Sequence, residues 1–159
     1  MPERSVIHNT FVIERTYPAA PERVFAALAD PAKKRRWFAD RSQSHETEQF
    51  EMEFRVGGIE RTLYRFKNGT PFPGTALSNE GTFQDIVPDK RVVIASTMTL
   101  GEKRISSSLA TFELLPDDKG TKLILTHQAA FFEGADGPEM RQAGWQQLLD
   151  RLGSEVSGS

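Results

Sequence analysis

Two periodicities divide this chain, and their order limits what it can become. Residues 10–17 and most of 48–131 alternate apolar and polar positions with a period of two, interrupted by Gly, Pro and Asn-Gly turns. Residues 139–156 then carry their apolar side chains at helical spacing. A run of strands closed by one long helix predicts an antiparallel sheet that must bury one face against that helix.

The strands read as follows. In the first, Phe11, Ile13, Arg15 and Tyr17 share one parity, and Pro18-Ala19-Ala20-Pro21 ends it. After residue 48, Phe50, Met52, Phe54 and Val56 alternate with Glu51, Glu53 and Arg55, giving one dry and one wet face. Gly57-Gly58 breaks this strand as a turn or bulge. Further strands are expected over 59–66, 81–87, 91–100, 104–115 and 121–131. Seven strands joined mostly by short turns give a curved antiparallel sheet in an α+β fold.

Two short helices fall after the first strand. Pro21 suits a first helical position, and Val24, Phe25 and Leu28 form an apolar stripe. Asp30-Pro31 combines an N-cap residue with proline at the next position and starts a helix running to Trp37 or Phe38. In the final helix the expected apolar face is Met140, Gly144, Trp145, Leu148, Leu149, Leu152 and Val156, and the 157–159 tail is read as frayed. Seven strands around this helix leave more room than one stripe of side chains fills, which predicts an apolar pocket between them.

The 159 residues suit one domain spanning 1–159, with no internal repeat. A net charge of -2 argues against nucleic acid as a partner. The absence of cysteine excludes disulfides, thiolate nucleophiles and Cys-based metal sites. The N-terminus lacks a signal peptide's apolar core, and no apolar run approaches the roughly 20 residues that span a bilayer. The expectation is a cytoplasmic protein without membrane insertion, with a homodimer kept as a possible state.

Residues 19–25 (Ala-Ala-Pro-Glu-Arg-Val-Phe), Ala29-Asp30-Pro31 and Trp37-Phe38 resemble the opening of the START-like, or SRPBCC, superfamily. Residues 54–58 (Phe-Arg-Val-Gly-Gly), 81–93 (Gly-Thr-Phe-Gln-Asp-Ile-Val-Pro-Asp-Lys-Arg-Val-Val), 120–123 (Gly-Thr-Lys-Leu), Gly144-Trp145 and Leu148-Leu149 are more specific. They resemble the branch named for homology to the activator of the heat-shock-protein ATPase, the AHSA-like branch, over about residues 10–153. The resemblance implies a helix-grip fold with a hydrophobic-ligand pocket beneath the C-terminal helix. It also brings two alternatives: a polyketide cyclase or aromatase-like enzyme, and a chaperone-cofactor-like module that binds protein.

No residue pattern adds a catalytic site. The three histidines, His8, His45 and His127, have no ligand spacing, and no metal or cofactor is expected. His127 shares the parity of Leu123, Leu125 and Ala129; it reads as a hydrogen-bonded strand histidine or, more sharply, as a polar group in the pocket. Ser106, Ser107 and Ser108 lack a nucleophile elbow and read as wet-face residues. Gly57-Gly58 lacks a phosphate-loop context. Lys33, Lys34, Arg35 and Arg36 read as a solvated surface, since helical neighbours diverge by about 100°. Arg15, Glu53, Arg55, Arg61, Tyr64 and His127 are the strand residues with ionisable or polar tips whose direction the pattern leaves open.

The ligand-binding candidates are Trp37, Phe38, Phe54, Tyr64, Phe83, Met98, His127, Phe131 and Trp145. Plain core packing accounts for several of them. Trp37, Phe38, Phe131, Phe132 and Trp145 stand at element ends and are expected to rim the pocket. The resulting expectation is a binding protein for a hydrophobic small molecule, lipid or polyketide-like, with no catalytic constellation in the sequence.

Overall fold

A computed structural model describes residues 5–40 and 42–157. The readings made on residues 1–4 and on Gly158 and Ser159 therefore lie outside the described residues.

The elements follow in the order β1 (Ile7–Tyr17), α1 (Pro21–Ala29), α2 (Pro31–Lys34), a π-helical turn (Arg35–Ala39), β2 (His45–Met52), β3 (Ile59–Phe66), β4 (Ala76–Val87), β5 (Arg91–Leu100), β6 (Lys103–Asp117), β7 (Gly120–Phe131) and α3 (Pro138–Ser157). All seven strands form one antiparallel sheet in the order β1-β7-β6-β5-β4-β3-β2, so β1 crosses over to pair with β7. The chain has the expected α+β helix-grip architecture, with the long C-terminal helix against the sheet.

The dry half of the inner face is continuous. Leu123 and Leu125 on β7 stand beside Leu114 and Phe112 on β6, and Phe112 stands beside Val92 on β5. Leu149, Leu152 and Val156 from α3 and Val24 and Leu28 from α1 complete this core. The Tyr17 hydroxyl donates to the Leu149 carbonyl at 2.7 Å and fixes α3 on the end of β1. Gly153 lets the helix come this close, because a Cβ there would stand 3.0 Å from the Tyr17 ring.

Four local readings are corrected. The helix begun at Asp30, whose carboxylate accepts from the Ala32 and Lys33 backbone N–H groups, runs as α only to Lys34. It then widens into the π turn, closed by Asp40 N–H on the Arg35 carbonyl at 3.0 Å. This wide turn brings three consecutive residues, Trp37, Phe38 and Ala39, into the core. Second, the basic run is not uniformly solvated. Lys34 is 4% exposed and its ammonium donates to Glu60 at 2.9 Å.

Third, the strand read through Val56 ends at Met52. Glu53 N–H still bonds the Ile59 carbonyl, but the chain then turns. Phe54 goes inward to Phe25 and Phe83, while Val56 is exposed. The turn needs Gly58, since a Cβ there would stand 2.0 Å from the Glu53 carbonyl oxygen. Fourth, Met140 is 68% exposed and Gly144 is also on the solvent side of α3. The buried stripe instead runs through Arg141, Trp145, Leu149, Leu152 and Val156, close to one residue in four. An arginine can occupy its first position because a carboxylate accompanies it.

Candidate functional site on the inner face of the sheet

Strand register divides the inner face into two halves, because directly opposed residues of an antiparallel pair point the same way. Beyond the dry half, one cross-strand row runs Ser108, Ser96, Gly81, Glu60, and the next runs Phe131, Ser106, Met98, Asn79, Thr62. Most members of these rows are polar. Ser108, Ser96, Met98 and Asn79 are half-buried although they face the same way as the core. Gly81 makes room for its neighbours on β5, since a Cβ there would meet Ser96 Oγ at 2.6 Å and Ile94 Cδ1 at 2.7 Å.

Two charged pairs bound this polar half. On the α3 side, Arg141 donates to both oxygens of Asp136 (2.7 and 2.8 Å), to Ser106 Oγ (3.0 Å) and to Met98 Sδ (3.4 Å). Its guanidinium also lies 5.0 Å from the Phe131 ring centre. On the other side, the Lys34 ammonium pairs with Glu60 and lies 4.6 Å from the Phe38 ring centre. The wet-face reading of the serines is therefore corrected: Ser106 is buried and bonded to Arg141, Ser108 faces inward, and Ser107 alone is exposed.

Three inward-facing polar side-chain atoms have no hydrogen-bond partner among the described residues: Asn9 Oδ1, Thr62 Oγ1 and His127 Nδ1. His127 is 2% exposed and its Nδ1 lacks a hydrogen bond; Thr62 is fully buried and its Oγ1 lacks one. His127 Nδ1 thus lacks the hydrogen bond that a satisfied strand histidine would make. Its ring stacks on Phe11 at 4.6 Å and lies 6.3 Å from Trp145. A buried polar atom without a partner costs about 1–3 kcal/mol.

The candidates fall into three groups. Phe38, Trp145 and His127 come together, with Phe38 6.0 Å and Phe112 5.7 Å from Trp145; Met98 and Phe131 join them through Arg141. Trp37 is enclosed, 0% exposed, and its indole N–H donates to the Ala27 carbonyl at 2.8 Å. Phe54 and Phe83 pack with Phe25 beneath α1. Tyr64 lies by His45 and donates to the Phe38 carbonyl at 3.5 Å, with burial raising its pKa. Phe132 is half-buried at the end of β7.

The aromatic residues expected to surround an empty apolar pocket thus pack largely on one another, and the half-exposed part of the inner face is polar. Two surface clefts lie elsewhere. One of about 420 Å³ runs along residues 8–10 of β1, 107–109 of β6 and 128–130 of β7, so it includes Ser108. Another of about 570 Å³ lies between Ser42–Ser44 and Gln147, Asp150 and Arg151. Among the strand residues left open by the sequence, Arg15, Tyr64 and His127 face inward, with Arg15 pairing with Asp150 on α3, while Arg61 pairs with Glu80.

Arg141, Ser106, Thr62 and the Lys34–Glu60 pair were not among the sequence candidates. Arg141 alone carried a signal, being one helical turn before Trp145 on the same face.

The family model described as "Activator of Hsp90 ATPase homolog 1-like protein" matches residues 18–157. The chain belongs to the AHSA1-like family. It is similar to a solved structure of an uncharacterized protein from Rhizobium leguminosarum, at 34% identity and TM-score 0.90, covering 99% of this chain and 100% of that one. It is also similar to the Mll3558 protein from Rhizobium loti, at 45% identity and TM-score 0.82, covering 96% and 99%. An AHSA1-like protein from Aeromonas hydrophila shares the fold at 23% identity and TM-score 0.65, covering 94% and 92%. No curated protein matches. The AHSA1-like fold supports a ligand-binding or cofactor-like module. Among the described residues, no helix is long and apolar enough to cross a membrane, and no group of three His, Asp or Glu side chains is placed to hold a metal ion.

Burial, with Arg141 as the next cause, pushes the His127 imidazole down to about 4. Burial first, then Arg151 and Lys67, brings His45 to about 4 as well. An unfolded histidine titrates near pH 6.5. From about pH 6.5 down to 4, the unfolded chain therefore takes up protons that the folded chain does not, and stability falls as acid is added. The slope reaches about 1.4 kcal/mol per pH unit for each such group. Urea melts at pH 6.5, 5.5 and 4.5 should show this loss, and His127→Leu should make it shallower. An unchanged slope in the variant would contradict a neutral, buried His127.

Proposed function

We propose that this chain binds a hydrophobic small molecule, lipid or polyketide-like, on the inner face of the sheet beneath the first turns of α3. The observation that carries this reading is the set of three buried atoms without partners, Asn9 Oδ1, His127 Nδ1 and Thr62 Oγ1, on the same face as the half-buried Ser96, Ser108 and Asn79. Buried polar groups in folded proteins are nearly always hydrogen-bonded, so unpaired ones beside an accessible face mark where a ligand or ordered water completes the structure. Trp145, Phe131 and Phe38 supply apolar area next to it, as small-molecule sites usually require.

Thermal unfolding with dodecanoate, a sterol and an aromatic polyketide tests the reading. A bound ligand at 100 times its Kd adds about 2.7 kcal/mol of stability. At least one class should raise the Tm in a concentration-dependent way. A Tm indifferent to all three would count against the site.

A further inference from the structure

We propose that the cleft between the start of β2 and α3 is a binding site for a phosphate group, carried either by inorganic phosphate or by a small phosphate monoester. The site is separate from the inner face of the sheet and does not depend on a ligand there. The cleft has a volume of about 570 Å³, with Ser42, Gln43 and Ser44 on one wall and Gln147, Asp150 and Arg151 on the other. Small-molecule sites commonly enclose about 300–1,000 Å³. Gln147 and Arg151 are one helical turn apart and so share a face of α3. Every lining side chain is polar or charged, which gives an apolar occupant nothing to pack against.

The balance of charge decides what the cleft attracts. Asp150 within it pairs with Arg15 at 3.5 Å. On the flanking segments, Asp40 pairs with Arg35 at 3.1 Å, and Glu155, one turn beyond Arg151, pairs with Arg36 at 2.9 Å. Glu46 shares the outward parity of Arg65. Arg151, by contrast, is half-buried and makes no hydrogen bond or ion pair with the described residues. The half-buried Lys67 has no such partner for its ammonium either, and its backbone N–H donates to the Ser44 carbonyl at 2.9 Å, which places it at the edge of the cleft. Burial, then Arg151 and Lys67, pushes the neighbouring His45 imidazole down to about 4, so both cations act on this space. A guanidinium sheltered from water and lacking a counter-ion presents a fork of N–H donors that fits an oxyanion.

Uncharged donors meet the same space. Ser42 Oγ lies 3.0 Å and Ser44 Oγ 3.2 Å from His45 Nδ1, and the two hydroxyls are 3.2 Å apart. A neutral imidazole nitrogen satisfies one of two such hydroxyls, so the other is able to turn its proton toward an acceptor in the cleft. The Gln43 and Gln147 amides make no hydrogen bond to the described residues and donate from opposite walls. Two cations with hydroxyl and amide donors around them match an ion of charge about −2 with three acceptor oxygens. That is a phosphate group and not a single carboxylate.

Isothermal titration of the full chain at neutral pH and constant ionic strength tests this, with inorganic phosphate, phenyl phosphate, benzoate and chloride as probes. The better of the two phosphates should bind about tenfold tighter than benzoate, and Arg151→Gln should weaken it about tenfold. Lys67→Gln should weaken it about threefold and keeps the test open if the Arg151 variant folds poorly. Tighter binding of phenyl phosphate supports the site with an ester as its ligand; tighter binding of inorganic phosphate supports it with the free ion. In nitrogen-15 spectra the amides of Ser42, Ser44, His45, Lys67 and Arg151 should shift with the phosphate while those of Ser96 and Ser108 stay in place. Binding of benzoate as tight as that of either phosphate, a phosphate response no larger than that of chloride, or an affinity unchanged in both variants would overturn the inference. None of these results would touch the reading of the inner face.

Discussion

Replacing Glu60 with leucine lowers the stability of the protein by about 3–5 kcal/mol, and Lys34→Met does the same. Each change leaves the other member charged at a position only 4% exposed, with its one close counter-ion gone. The loss is a large share of the 5–15 kcal/mol that holds a typical domain together. The aromatic neighbours of Lys34, Phe38 and Trp37, do not replace a carboxylate; a buried cation over a ring is worth about 2 kcal/mol, less than the cost of leaving it unpaired. Exchanging both residues for apolar ones of similar size should restore most of the loss, because the pair's attraction mainly offsets its own desolvation. Urea midpoints of the two single variants and the double variant measure this coupling. If the single changes cost less than about 1 kcal/mol, the pair behaves as a surface ion pair would, and its burial is wrong.

The second large effect is expected at Trp37. Trp37→Ala should cost about 3–5 kcal/mol, since the indole is wholly enclosed and its removal opens a cavity beneath the π turn. The change also leaves the Ala27 carbonyl without the indole donor. Trp37→Phe retains much of the apolar area and should cost less, with the lost hydrogen bond worth about 1 kcal/mol. Ligand affinity of the folded Phe variant should stay close to the parent's, because Trp37 faces the core between α1 and the π turn. A variant that keeps its stability but loses ligand binding would instead place Trp37 in the wall of the site.

The architecture was legible because the dry half of the sheet follows the simplest rule. Leu123 and Leu125, Phe112 and Leu114, and Val92 and Ile94 alternate with polar residues, so β5, β6 and β7 announce themselves and their parity. The start of β4 did not. Residues Ala76–Glu80 pair with both neighbours, yet their inward members are Leu77 and Asn79, and a strand whose inner face is half polar shows no alternation. The same loss of pattern hid the site. Glu60, Thr62, Asn79, Ser96 and Ser106 resemble solvent-facing residues in the sequence; only strand register turns them inward. Arg141 was hidden for a related reason, since the Asp136 carboxylate that permits its burial lies in the preceding loop and belongs to no periodic pattern.

Aromatic residues posed the opposite difficulty. Phe54, Phe83 and Trp37 attract attention as pocket walls, but large apolar side chains usually close a core, as these three do. His127 was ambiguous for want of one fact, whether its ring nitrogen finds a partner. The sequence shows its parity, and its missing Nδ1 partner is a property of the fold.

The central claim is that the polar half of the inner face receives the ligand. A chemical-shift titration of the nitrogen-15-labelled protein with 2,7-dihydroxynaphthalene tests it most directly. The account predicts that the backbone amides of Thr62, Asn79, Ser96, Ser106 and Ser108, together with the Trp145 indole N–H, shift along one saturating curve. Shifts confined to Ser42–Ser44 and Gln147–Arg151, or to the cleft at His8, Thr10 and Gln128, would contradict it.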